Sequence, residues 1–102
     1  MLLLAIETSC DETSVALLRD GCVLANTVSS QINIHQEYGG VVPELASREH
    51  LRNLMPVASQ ALRQAGVAPD KLDAVAATRG PGLPGALLVG LRVSQGLAFA
   101  LS

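Results

Sequence analysis

One short stretch, Glu7-Thr8-Ser9-Cys10-Asp11-Glu12-Thr13, gathers three carboxylates, three hydroxyls and a thiol, with no basic side chain among them. Carboxylates in such a cluster can accept a proton from a nucleophile. Their charge repels a phosphate, which could be held here only by backbone amides, hydroxyls, a metal ion or a cation from another loop. The plainer reading is a solvated connection whose hydroxyls and carboxylates bond their own backbone. Both readings stay open on composition alone.

A second feature is Thr78-Arg79-Gly80-Pro81-Gly82-Leu83-Pro84-Gly85. A glycine-rich turn running into a helix can cradle an anion on free amides, with Arg79 as a phosphate partner. It can equally exist to pack a strand tightly against a helix. No Lys-Ser or Lys-Thr pair follows, so it is not a Walker loop. A third is the stretch from Tyr38 to His50, Tyr-Gly-Gly-Val-Val-Pro-Glu-Leu-Ala-Ser-Arg-Glu-His, in which Ser47 is a candidate helix cap. His35 and His50 are the only histidines, fifteen positions apart. Each reads as a surface or satisfied core histidine, and no metal site is expected in this chain. Cys10 and Cys22 lack the number for a disulfide framework and the spacing of a zinc site, so they read as reduced thiols.

The elements that must position these residues follow from apolar patterning. Leu2-Leu3-Leu4-Ala5-Ile6 is a continuous apolar run that stops at the acidic stretch, as a strand buried on both faces does. Residues 14–19 and 22–28 are further strand candidates, joined by Asp20-Gly21 as a two-residue hairpin turn. Residues 31–43 carry Gly39-Gly40 and Pro43 and read as a loop. A helix follows over about 44–65, with Leu51, Leu54, Met55, Ala58, Ala61, Leu62 and Ala65 on one face. It stops at Gly66, and Pro56 predicts a kink near residues 52–56. Residues 73–78 form a short strand and residues 85–101 a second helix. Its Leu87, Leu88, Leu91, Ala98 and Phe99 make it apolar nearly all round, as in a helix covered on most sides.

The 102 residues allow one domain, and 49% hydrophobic residues can bury a core. Tyr38 and Phe99 are the only aromatics, which excludes a stacking platform for single-stranded nucleic acid. The net charge of −2 offers no basic footprint of the kind RNA binding requires, so contacts to an RNA substrate must come from elsewhere. Met1 to Leu4 lacks the basic flank of a signal peptide. The run from Ala86 to Leu101 contains Arg92, Ser94 and Gln95 and makes a poor membrane span. A cytoplasmic protein with no membrane association is expected.

Three motifs in order, Ile6 to Thr13, Gly39-Gly40-Val41-Val42-Pro43-Glu44-Leu45-Ala46-Ser47-Arg48 and Gly80-Pro81-Gly82-Leu83, resemble the bacterial TsaD family over essentially the whole chain. That family was once labelled O-sialoglycoprotein endopeptidase. The resemblance implies an α/β fold of the ribonuclease-H-like, actin-like (ASKHA) kind. Residues 1–102 would be the amino-terminal lobe, in the order βββαβα, without the fifth strand and without the second lobe. It implies transfer of threonylcarbamoyl from threonylcarbamoyl-adenylate to N6 of adenosine 37 in tRNAs that read codons starting with A. Asp11 and Glu12 would be the catalytic acids, and Ser9 and Cys10 would line the substrate. The family's divalent metal, iron or zinc, is held by a His-x-x-x-His pair and a second-lobe ligand, and this chain contains neither. Implied partners are a TsaB-like paralogue, a TsaE-like ATPase and tRNA, the last bound mainly through the missing parts. The paralogue would dock on the helices through Leu51, Leu54, Met55, Ala58, Leu62, Leu87 and Leu91. The chain by itself is expected to be inactive, and the alternative is a stand-alone interaction module that binds the TsaB-like partner.

Overall fold

The first strand of the computed structural model, which describes residues 1–101, is β1, Leu2–Glu7. It is followed by β2 (Glu12–Arg19), β3 (Cys22–Ser30), a one-turn helix α1 (Ile32–Gln36) and the long helix α2 (Pro43–Ala65). A 3-10 turn (Pro69–Lys71), β4 (Ala74–Ala77) and α3 (Pro84–Leu101) complete the chain. The sheet order is β3-β2-β1-β4, with β1 antiparallel to β2 and parallel to β4. Asp20 and Gly21 turn β2 into β3 with φ of 51° and 84°, the left-handed pair a tight hairpin demands.

Strand alternation sends Leu4, Ile6, Val15 and Leu17 to one face, each at most 2% exposed. There they meet Leu54, Val57, Ala58 and Ala61 of α2 and Val89 of α3. Burying each large aliphatic side chain contributes about 1.5–3 kcal/mol, so this layer holds the lobe together. The other face carries Ala5, Ser14, Ala16, Asn26 and Ala76, which line an open trough of about 500 Å³ beside Glu7 and Thr78. The expectation that β1 is buried on both faces is therefore met on one face only in this chain.

Three local expectations change. Residues 31–43 are not all loop, because the Gln31 carbonyl accepts the amides of Ile34 and His35 and closes α1. Ser47 is not a cap: it lies inside α2, whose N-cap is Val42, and its hydroxyl donates to the Pro43 carbonyl at 3.1 Å. The buried stripe of α2 is Ala46, His50, Leu54, Val57, Ala58 and Ala61, whereas Leu51 and Met55 are 65% and 51% exposed. The helix continues through Pro56, which is exposed, so the Arg52 carbonyl it leaves unbonded can turn to water. Gly66, at φ 68°, ends α2 as expected.

Among the described residues α3 alone is long and apolar enough to cross a bilayer by length and composition. Ala86, Leu87, Val89, Gly90 and Ser94 are its buried positions. Leu88, Ala98 and Phe99 are exposed, so α3 is covered on one side and not on most. All-round apolarity tells how a helix can be covered, not how much of it a given chain covers.

Candidate functional site

The acidic stretch is divided by the fold. Glu7 closes β1, Glu12 and Thr13 open β2, and residues 8–11 form the connection. Its shape is set from several sides. The Glu7 carboxylate accepts both donors of Ser9, the amide on Oε1 and the hydroxyl on Oε2, each at 2.8 Å. Both donors of this expected substrate-lining residue are thus committed to Glu7. The Thr8 side chain turns inward, where its hydroxyl donates to the Ala86 carbonyl at 2.7 Å and accepts the Gly90 amide at 3.1 Å. These groups lie one helical turn apart in α3, so the hydroxyl docks the end of β1 onto that helix.

Three successive carbonyls of the connection are then tied to three different elements. The Ser9 carbonyl accepts the Leu83 amide at 2.7 Å, and the Asp11 carbonyl accepts the Gln31 amide at 2.9 Å. Between them the Cys10 carbonyl faces Nε2 of His50 at 2.8 Å, while Nδ1 of the same ring meets the Thr13 hydroxyl at 2.8 Å. An acceptor carbonyl requires Nε2–H, so in the neutral ring Nδ1 accepts from Thr13. His50 is fully buried and Thr13 is 0% exposed.

The glycine-rich turn is fitted against this loop. A Cβ on Gly82 would stand 2.6 Å from the Ser9 carbonyl oxygen and 2.7 Å from Ser9 Cβ, so only glycine fits there. Of its two open readings, close packing is the one built here, and the Leu83 amide is spent on Ser9. Arg79 is exposed.

Asp11 is half-buried and faces a depression of about 320 Å³, lined also by Ile32, His35, Gln36, Gly39, Gly40 and Val41. Glu12 is exposed and shares its strand face with Ser14. Burial pushes the Cys10 thiol up, and the Asp11 and Glu7 carboxylates add to the rise, so Cys10 is held as a thiol. The two cysteines are free.

A transition-metal ion does not fit the residues present. His35 takes the Val42 amide on Nδ1 and donates from Nε2 to Gln31 Oε1, so all four imidazole nitrogens of the two histidines are engaged. No group of three His, Cys, Asp or Glu side chains suited to a metal occurs among the described residues.

Sequence reasoning brought out the acidic stretch, Glu7 and Thr8 included, and His50 as a surface or satisfied core histidine, but not the contacts by which they and Gln31 hold the loop. Glu7, Thr8, Gln31 and His50 build the loop. His50 left one usable signal: it falls four residues after Ala46 and four before Leu54, on the buried stripe of α2. Of the expected docking residues, Leu51 and Met55 are exposed and Leu62 and Leu91 are half-buried. Leu54, Ala58 and Leu87 are at most 9% exposed and pack inward, because helix-face periodicity marks the core stripe first.

The antiparallel β-meander, the parallel strand returned beside β1 and the helices on one face define an α/β lobe of the actin-like (ASKHA) kind. YeaZ from Pseudomonas aeruginosa has this shape, with a TM-score of 0.74 and 37% identity over 98% of this chain and 39% of that one. The family model for TsaD, tRNA N6-adenosine threonylcarbamoyltransferase, matches residues 22–102, and the chain belongs to that family. Proteins of that name from a Thermus thermophilus strain and a Geobacter species are 59% and 58% identical over 101 and 103 residues. These alignments cover 99% and 100% of this chain. The chain spans 31% and 30% of the length of those relatives.

Proposed function

We propose that this chain forms the donor-side lobe of a tRNA N6-adenosine threonylcarbamoyltransferase, with residues 7–13 at the reacting centre. The observation that carries the reading is the acidic connection, held from Gln31 at the start of α1, from α2 and from the glycine-rich turn, in a chain of the TsaD family. In the reaction, N6 of adenosine 37 attacks the carbamoyl carbonyl of threonylcarbamoyl-adenylate. The new C–N bond forms, the C–O bond to phosphate breaks, AMP leaves, and the amine gives up a proton. An exocyclic adenine amine is a weak nucleophile, so a carboxylate that accepts this proton lowers the barrier. Asp11, at the edge of the depression, and the exposed Glu12 are the acceptors. Ser9, oriented by Glu7, and Cys10 line the donor.

The remaining length of the relatives supplies the metal ligands and most of the tRNA contacts in this reading, so the 102-residue chain alone is inactive. The test replaces the matching third of the Thermus thermophilus relative with residues 1–102. Transfer by the chimera together with none by the isolated chain agrees with the proposal. A folded chimera without activity, or an active isolated chain, contradicts it.

The exposed Leu51, Met55 and Leu88 favour a second role for the same lobe, docking of a TsaB-like partner on α2 and α3. A TsaE-like ATPase would join the assembly elsewhere. Co-elution of the chain with such a partner, lost in a Leu51→Glu, Met55→Glu double variant, tests this. Undiminished co-elution of the double variant sinks it.

A further inference from the structure

We propose that His50 is the positioning residue of the acidic loop, holding Asp11 and Glu12 through the backbone and side chain on either side of them. The imidazole bonds the Cys10 carbonyl with one nitrogen and the Thr13 hydroxyl with the other, so its two contacts bracket the two carboxylates. The flanking anchors, Leu83 to Ser9 and Gln31 to Asp11, are main-chain amides. His50 is therefore the one side chain in the three-point attachment of these carbonyls. It stands on the buried stripe of α2 between Ala46 and Leu54, so it couples the loop to the helix that packs on the sheet.

Any buried histidine must satisfy both ring nitrogens, as His35 also does; what sets His50 apart is that its two partners flank Asp11 and Glu12. Here one rigid ring spans a loop that contains a proton acceptor, and a proton acceptor must stay within hydrogen-bond reach of its donor. The functional part of the inference rests on the transferase reading. The positioning part does not, because it can be measured in the chain without any reaction.

The test uses the full chain and the thiol of Cys10, whose neighbouring carbonyl is the one anchored. His50→Asn keeps an acceptor where Nδ1 stood and loses the donor to Cys10. His50→Gln keeps a donor where Nε2 stood. Alkylation by iodoacetamide is followed at Cys10, with the exposed Cys22 as the internal reference. In His50→Asn the Cys10 rate should rise about five- to tenfold, the shift in loop population expected from one lost hydrogen bond. The Cys22 rate should stay constant, and His50→Gln should stay within about twofold of the parent by the same reasoning. An unchanged Cys10 rate in a folded His50→Asn chain overturns the proposal, as does an equal rise in both variants.

Should neither variant melt cooperatively, nitrogen NMR of the parent chain decides. A slowly exchanging Nε2–H coupled to the Cys10 carbonyl is expected, and its absence refutes the anchor. In the chimera, His50→Asn should lower kcat roughly tenfold to a hundredfold while leaving KM for tRNA in place. Altered thiol kinetics with an inactive parent chimera would instead count against the transferase reading alone.

Discussion

Two glycines of α3 should respond to the same substitution with opposite signs. A Cβ on Gly90 would lie 2.7 Å from the Thr8 hydroxyl and 3.2 Å from Ile6 Cγ2, whereas one on Gly96 meets nothing within 4 Å. Alanine in a helix interior is favoured over glycine by about 1 kcal/mol, and that is the whole effect expected at Gly96. At Gly90 the Thr8 hydroxyl must leave its place, giving up two hydrogen bonds of about 1 kcal/mol each. Thr8 is 2% exposed, so its side chain has no open solvent to turn into. Overpacking then adds roughly 1–3 kcal/mol. Subtracting the helix gain leaves Gly90→Ala destabilised by about 2–4 kcal/mol. For a domain of this size that lowers the melting temperature by about 8–32 °C, while Gly96→Ala raises it by about 4–8 °C. Thermal unfolding followed by circular dichroism reads both. A Gly90→Ala chain that melts at or above the parent would refute the claim that Thr8 pins β1 to α3.

Because Cys10 is held as a thiol by burial and by the nearby carboxylates, its alkylation rate should keep climbing at pH values where an ordinary cysteine has levelled off. Asp11→Asn removes the larger of the two charge contributions, so the pH–rate midpoint should move down while burial keeps it above the usual thiol value; a midpoint that does not move places the Asp11 charge elsewhere. Gly82→Ala should disturb the loop through Ser9, visible as faster Cys10 alkylation than in a Gly80→Ala control, whose Cβ would meet nothing within 4 Å. Equal rates in the two variants would contradict the close fit of the turn.

The fold was readable wherever one local pattern had one outcome. The apolar run of β1, the Asp20-Gly21 hairpin and the Gly66 stop each specify a backbone conformation through neighbouring residues alone. The α2 face was read rightly at Leu54, Ala58 and Ala61 and wrongly at Leu51 and Met55, which share the periodicity of the core positions, because only the sheet beneath decides between adjacent stripes. The acidic site was legible as a cluster of types. Its architecture was not, since Thr8 to Ala86, Ser9 to Leu83 and Cys10 to His50 join residues 40 or more apart. Gln31 shows the same difficulty, being 1% exposed and bonded to Asp11, Ala46 and His35 at once. A lone glutamine after a strand gives no sign of that role.

The measurement closest to the central claim is the turnover of threonylcarbamoyl transfer by the chimera carrying Asp11→Asn or Glu12→Gln, beside an Asp70→Asn control on the exposed 3-10 turn. With tRNA binding retained, loss of the proton acceptor should lower kcat by about 10²–10⁴-fold in at least one of the two loop variants. The control should match the parent. Full turnover in the Asp11→Asn, Glu12→Gln double variant would contradict the assignment of this loop to the reacting centre.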